Sequence, residues 1–171
     1  MRKGSLAGIG FGIAWGLIAC SSETGGSSPA QAELTGCPEA NVVTAQTGEA
    51  SFERDVIPVF EKSCTFGACH GTAGGHNHGV YLGIRGGGAG AATDAVYAAL
   101  VGKKGAVGPM PLVTPGKPDE SWLIQKLEGT TCGFDTCAGG DCGERMPKGG
   151  GALPAAQLAA IKGWIAQGAK R

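Results

Sequence analysis

The chain has 171 residues, 14 basic and 14 acidic side chains, and only three histidines. Setting aside Arg2 and Lys3 of the N-terminal segment leaves 12 basic against 14 acidic residues, so there is no basic field to hold nucleic acid or an anionic membrane surface. Thirty-three glycines and seven cysteines describe a chain with a thin core, one that calls for cross-links or a prosthetic group as a staple.

Residues 1–19 read as a signal peptide. Arg2 and Lys3 form a short positive region, and Leu6 through Ala19 is apolar but too short and glycine-interrupted for a membrane span. The run ends in Leu17-Ile18-Ala19-Cys20, which resembles the bacterial lipobox and implies cleavage before Cys20 and acylation of its thiol. The alternative is a plain signal peptide cut near Ala19, with Cys20 left free. Lipid-anchored, the chain is expected in the cell envelope, on the periplasmic side or at the cell surface. With the lipid it is anchored to the membrane by that group alone. Export also places the thiols in an oxidising compartment.

Residues 20–50 have linker composition, small and polar, with Cys37 expected to tie the tail back to the folded unit through a disulfide. The domain, residues 51–171, is expected to start at Ser51 as an N-cap. Phe52, Val56, Val59 and Phe60 then mark one helical face, which Pro58 should kink or divide. Residues 71–92 read as a glycine-dominated loop with an apolar island at Val80, Tyr81, Leu82 and Ile84. Thr93-Asp94 should cap a short helix carrying Val96, Tyr97 and Leu100. Asp119 should cap another, with Trp122, Leu123, Ile124 and Leu127, ending at Gly129. Residues 130–145 hold Cys132, Cys137 and Cys142 among glycines and read as a disulfide-stapled insertion. Pro154 should open a last helix with Leu158, Ile161, Trp164 and Ile165 on its buried face, closed by Gly168. The expected class is all-α, about four short helices joined by long glycine-rich loops.

The helix after Ser51 runs into Cys64-Thr65-Phe66-Gly67-Ala68-Cys69-His70-Gly71. Two cysteines followed directly by a histidine suit covalent haem attachment, with the thiols adding to the vinyl groups and the imidazole facing the iron. The usual spacer between the cysteines is two residues; here it is four, so the added residues must bulge outward for both sulfurs to reach one haem. Cysteine parity leaves the matter open. With Cys20 acylated and Cys64 and Cys69 on haem, Cys37, Cys132, Cys137 and Cys142 suffice for two disulfides; without haem, Cys64 and Cys69 could pair as a third.

Taken in order, the pieces resemble the small class I-like cytochrome c domains of secreted bacterial proteins. They are Phe52 with Val56-Ile57-Pro58-Val59-Phe60, then Cys69-His70-Gly71, then Pro115-Gly116-Lys117-Pro118-Asp119-Glu120-Ser121-Trp122-Leu123-Ile124. Met146-Pro147-Lys148-Gly149-Gly150 and Trp164-Ile165-Ala166-Gln167-Gly168-Ala169 complete the set. The resemblance implies a cytochrome c-like fold, three or more helices around one covalent haem c. It makes Cys64 and Cys69 the thioether residues, His70 the proximal ligand and Met146 the distal ligand of the iron. Imidazole opposite a thioether sulfur suits single-electron transfer at a relatively high potential and leaves no open coordination position.

Other residues compete for these roles. Met110, in Pro109-Met110-Pro111, is the rival thioether, and Met146 is preferred for its place ahead of the terminal helix. His76 and His78, in a polar glycine loop, read as solvated surface. Cys132, Cys137 and Cys142 in an exported chain read as disulfides before a zinc cluster. No Ser/His/Asp arrangement, carboxylate pair or phosphate loop points to an enzyme. The expected function is a lipid-anchored monohaem electron carrier with a transient redox protein partner. The alternatives are a haem-free, disulfide-stapled structural or binding lipoprotein on the same scaffold, or a haem-based gas sensor from which Met146 dissociates.

Overall fold

A computed structural model describes Cys37 and residues 40–72, 78–87 and 91–171. Among them the regular elements are four α-helices and single turns of tighter or wider coil. Extended pairing is confined to two isolated bridges, Val101 with Val113 and Lys104 with Pro111. The chain is all-α.

Ser51 starts the first helical unit by reciprocal capping. Its Oγ accepts from the Arg54 N–H at 3.3 Å, and its own N–H donates to Asp55 Oδ2 at 2.7 Å. Phe52–Val56 then forms a π-type turn, and α1 follows over Ile57–Ser63 with Pro58 in its first turn. Pro58 therefore divides the helical run, and Phe52, Val56, Val59 and Phe60 are all buried.

Helix α2 spans Ala91–Leu100, so Thr93 and Asp94 lie inside its first turn and do not cap it. Ala91 and Ala92, strong helix formers, carry the helix back past the expected start. Asp94 still suits that end of the helix dipole. Helix α3 spans Trp122–Glu128, and its cap also differs from expectation. Pro118 fixes a 3-10 turn over Pro118–Glu120 that takes in Asp119, and Ser121 occupies the N-cap. Ser121 Oγ does not bond the helix; it donates to Lys117 O at 2.8 Å and accepts from the Thr114 N–H at 2.9 Å, fastening the preceding loop. Gly129, at φ 75°, ends α3 with its N–H on Gln125 O. Helix α4 spans Ala155–Ala166 directly after Pro154, with Leu158, Ile161, Trp164 and Ile165 buried.

The core joins these elements through aromatic contacts. Phe52 stacks on Trp164 of α4 at 4.8 Å and meets Tyr97 of α2 edge-on at 5.5 Å. The polar tips of both partners are satisfied at the C-terminal end, Tyr97 Oη by Ala169 O and Trp164 Nε1 by Lys170 O.

Residues 40–50, linker by composition, lie docked on α3 and α4. Asn41 N–H donates to Glu128 O, Val43 N–H to Glu128 Oε1, and Gln46 N–H to Ala159 O. Gln167 accepts from the Ala50 N–H and donates to Gly48 O. Upstream, Cys37 is bridged to Cys132, and a second disulfide joins Cys137 to Cys142 within the insertion. The tail is thus tied back by Cys37, as expected, and by backbone bonds that composition does not reveal.

Candidate functional site

Cys64 sits at the C-terminal end of α1, where its N–H donates to Phe60 O at 2.7 Å. Its side chain turns into the core and is buried; that burial, with Cys69 nearby as a lesser cause, pushes the thiol up to about 12. Cys69 is exposed, and both thiols are free. The pairing of Cys64 with Cys69 considered above is therefore not formed.

The four-residue spacer is folded back on itself. Cys69 N–H donates to Phe66 O at 2.8 Å, His70 N–H to Cys64 O at 3.1 Å, and Gly71 N–H to Phe66 O at 3.3 Å. Thr65 Oγ1 donates back to Glu61 O at 2.9 Å. The backbone of His70 is thereby returned to that of Cys64 in spite of the added residues. Gly71 makes this closure possible, because a Cβ there would stand 2.4 Å from Thr65 O.

The imidazole of His70 is half-buried, with Nδ1 2.9 Å from Val80 O. A carbonyl only accepts, so Nδ1 carries the proton, and in the neutral ring Nε2 keeps its lone pair for a Lewis acid. A ring nitrogen held by a backbone carbonyl is the usual support of a metal-binding histidine. The Leu82 N–H bonds His70 O at 3.0 Å, so segment 80–82 grips the residue from two sides. The apolar island in the glycine loop therefore has a role that its side chains do not announce.

Around this stretch, Phe66 and Ile84 are exposed, and the Arg85 guanidinium lies 4.0 Å from the Phe66 ring centre. His78 is exposed; His76 and Cys20, with the whole signal segment, fall outside the described residues. No described helix is long and apolar enough to cross a membrane.

Met146 and Met110 are both half-buried against the core, so burial does not separate them. Met146 is fastened to α3 through its N–H on Lys126 O at 2.8 Å, and the Met146–Pro147 peptide is cis. Cys132, Cys137 and Cys142 are all consumed by disulfides, and among the described residues no three His, Cys, Asp or Glu side chains gather as a metal site. A cavity of about 160 Å³ lies at the insertion, bordered by Cys37, Thr131, Cys132, Gly143, Glu144 and Arg145. A much smaller one, about 10 Å³, lies between Ile57, Glu61, Leu82 and Val96. Neither is bordered by Cys69, His70 or Met146.

Compared with known protein families, curated proteins and solved structures, the chain matches none.

Proposed function

We propose that the chain is a lipid-anchored, monohaem c-type electron carrier of the cell envelope with a cytochrome c-like domain. The observation that carries this reading is the state of Cys64, Cys69 and His70: two unbridged thiols, and an imidazole whose Nδ1 is engaged by Val80 O. In an exported chain two neighbouring thiols with no other task would be expected to oxidise together. The other described cysteines have done so.

The donor set fits a covalent haem. Cys64 and Cys69 would hold it through thioethers, with His70 Nε2 and the Met146 sulfur as donors to its iron. Haem bound in this way supplies a single-electron couple, with its potential raised by the thioether. The chain's own part is to orient His70 through Val80 O and to close the spacer through Gly71. Held by two iron donors from the chain, the group would offer no coordination position to a substrate, and this reading assigns no enzymatic role. Cys69 and the half-buried His70 lie beside the exposed Phe66 and Ile84, whereas Cys64 is buried, so its thiol would have to turn out of the core for both thioethers to form there. A redox protein would dock there transiently. Cys20 would carry the lipid.

Expression in a host with haem-ligation machinery tests the proposal. The denatured, reduced protein should show the spectrum of covalently retained haem, and Cys64→Ser with Cys69→Ser should abolish it. A wild-type protein without covalent haem, its Cys64 and Cys69 recovered as a disulfide, would leave the haem-free lipoprotein as the better reading. That second reading draws on the two formed disulfides and the packed Phe52–Trp164 core.

A further inference from the structure

We propose that Lys126 is the positioning residue for Met146, clasping both ends of segment 142–146 onto α3. The inference rests on Met146 as the distal iron ligand of the function proposed above. Lys126 Nζ donates to Cys142 O at 2.9 Å, and Lys126 O accepts from the Met146 N–H at 2.8 Å. One residue of a rigid helix thus grips the segment at its first and last positions.

The surroundings are built for this grip. Gly143 lies between the two ends at φ 70°, a left-handed conformation that favours glycine, and a Cβ there would crowd Lys126 Nζ at 3.1 Å. Thr131 Oγ1 donates to Gly143 O at 3.0 Å, and the Gly143 N–H bonds Asp141 Oδ1 at 2.7 Å. The Cys137–Cys142 disulfide closes the loop behind. Gly143 and Glu144 are exposed, whereas Cys142, Arg145 and Met146 are half-buried, so these polar ties act beside the apolar contacts that Cys142 and Met146 make with the core.

Lys126 is half-buried, and burial lowers its pKa despite the attraction of Asp141 and Glu144. Lys148, facing it from the same loop, pushes in the same direction as burial. A lysine this near two carboxylates would ordinarily pair with one of them in water. Here the ammonium is held on a backbone carbonyl instead, a charge-assisted bond that fixes main-chain position. The cysteine-rich insertion then acts as a brace for the methionine, with Lys126 as the contact that transmits it.

The test uses the full chain, with and without haem ligation, and the variant Lys126→Met, which keeps the apolar stem and removes the donor. Hydrogen exchange of the Met146 amide should quicken about tenfold, the order expected for losing a charged hydrogen bond. In the haem-loaded protein, covalent haem should be retained. The methionine–iron absorption should fall, carbon monoxide should bind the reduced form, and the reduction potential should drop. Lys117→Met, which removes an exposed lysine paired with Glu120 outside the segment, should leave all four readouts unchanged. Lys126→Gln, which removes the charge and shortens the arm, should quicken exchange in the same segment; it decides the matter if Lys126→Met does not fold. Unchanged exchange at Met146 would overturn the clasp. Quickened exchange with unchanged ligation and potential would overturn the positioning role. A wild-type chain without covalent haem would overturn the ligand role together with the function reading, while the exchange rates still judge the clasp.

Discussion

Lys162 of α4 and Glu128 at the end of α3 meet at 2.7 Å, with side chains only 8% and 5% exposed. The pair does more than join two helices. Glu128 Oε1 also accepts from the Val43 N–H, and the Glu128 carbonyl accepts from the Asn41 N–H, so the docked segment 40–50 is seated on the same residue. Removing one member leaves a buried charge uncompensated, which costs about 3 kcal/mol or more. Lys162→Met should therefore lower the urea midpoint sharply, and Lys162→Met with Glu128→Leu should recover part of the loss. In both variants, proteolysis between residues 40 and 50 should begin at lower urea than in the wild type. A single variant as stable as wild type would show that the pair does not hold the helices and the segment together.

The same docked segment crosses α4 at Gly163. A Cβ at Gly163 would lie 2.5 Å from Gln46 Cγ and 3.0 Å from Gln46 O, so the segment passes closer to the helix than any side chain permits. In an isolated helix alanine would be the better residue. Here Gly163→Ala should destabilise the chain by about 1–3 kcal/mol, because the backbone at Gln46 has to move away. Loss of protection at the Gln46 amide, which donates to Ala159 O, is the direct measurement. An unchanged exchange rate there would mean that the segment is not seated as described.

These two contacts mark where sequence reasoning stops. Helical faces were legible because side chains carry them. Phe52, Val56, Val59 and Phe60, and Leu158, Ile161, Trp164 and Ile165, follow helical spacing and are buried. The docking of residues 40–50 was not legible, because backbone N–H groups make most of its bonds, and a small, polar composition reads as linker. The grip of Val80 O on His70 was hidden for the same reason, since a carbonyl has no residue identity. The disulfide-forming cysteines were legible, but their partners were not, because cysteine parity does not give connectivity. The cap of α3 was misplaced because Asp119 is a good capping residue by type, whereas Pro118 commits it to the preceding turn.

Gly71 offers a sharp contrast with Gly67 in the same turn. A Cβ at Gly71 would meet Thr65 O at 2.4 Å, Thr65 C at 2.9 Å and Phe66 O at 3.1 Å, all backbone atoms that cannot rotate aside. A Cβ at Gly67 meets nothing within 4 Å. Gly71→Ala should open the turn between Cys64 and His70 and cost about 1–3 kcal/mol, whereas Gly67→Ala should be close to neutral. Exchange of the His70 amide, bonded to Cys64 O, separates the two variants without any cofactor. In the haem-ligating host, Gly71→Ala should also lower the yield of covalent haem relative to Gly67→Ala. Equal behaviour of the two in both measurements would remove the closed turn as a requirement of the site.

Acid should weaken the start of the first helical unit. The Ser51 N–H, and after it the Arg54 guanidinium, hold the Asp55 carboxyl below its ordinary value of 3.8. A carboxyl with a lowered folded-state pKa binds protons less readily than in the unfolded chain. Its stabilising contribution is therefore complete above 3.8 and disappears as pH falls through the lower, folded value. Between about pH 4 and pH 2 the urea midpoint of the wild type should fall more steeply than that of Asp55→Asn, which cannot titrate. At neutral pH the order should favour the wild type, because asparagine keeps an acceptor for the Ser51 N–H but gives up the ion pair with Arg54. The two curves should approach each other as the medium becomes more acid. Parallel curves across that range would show that Asp55 has the same proton affinity folded and unfolded, and that the cap does not depend on its charge.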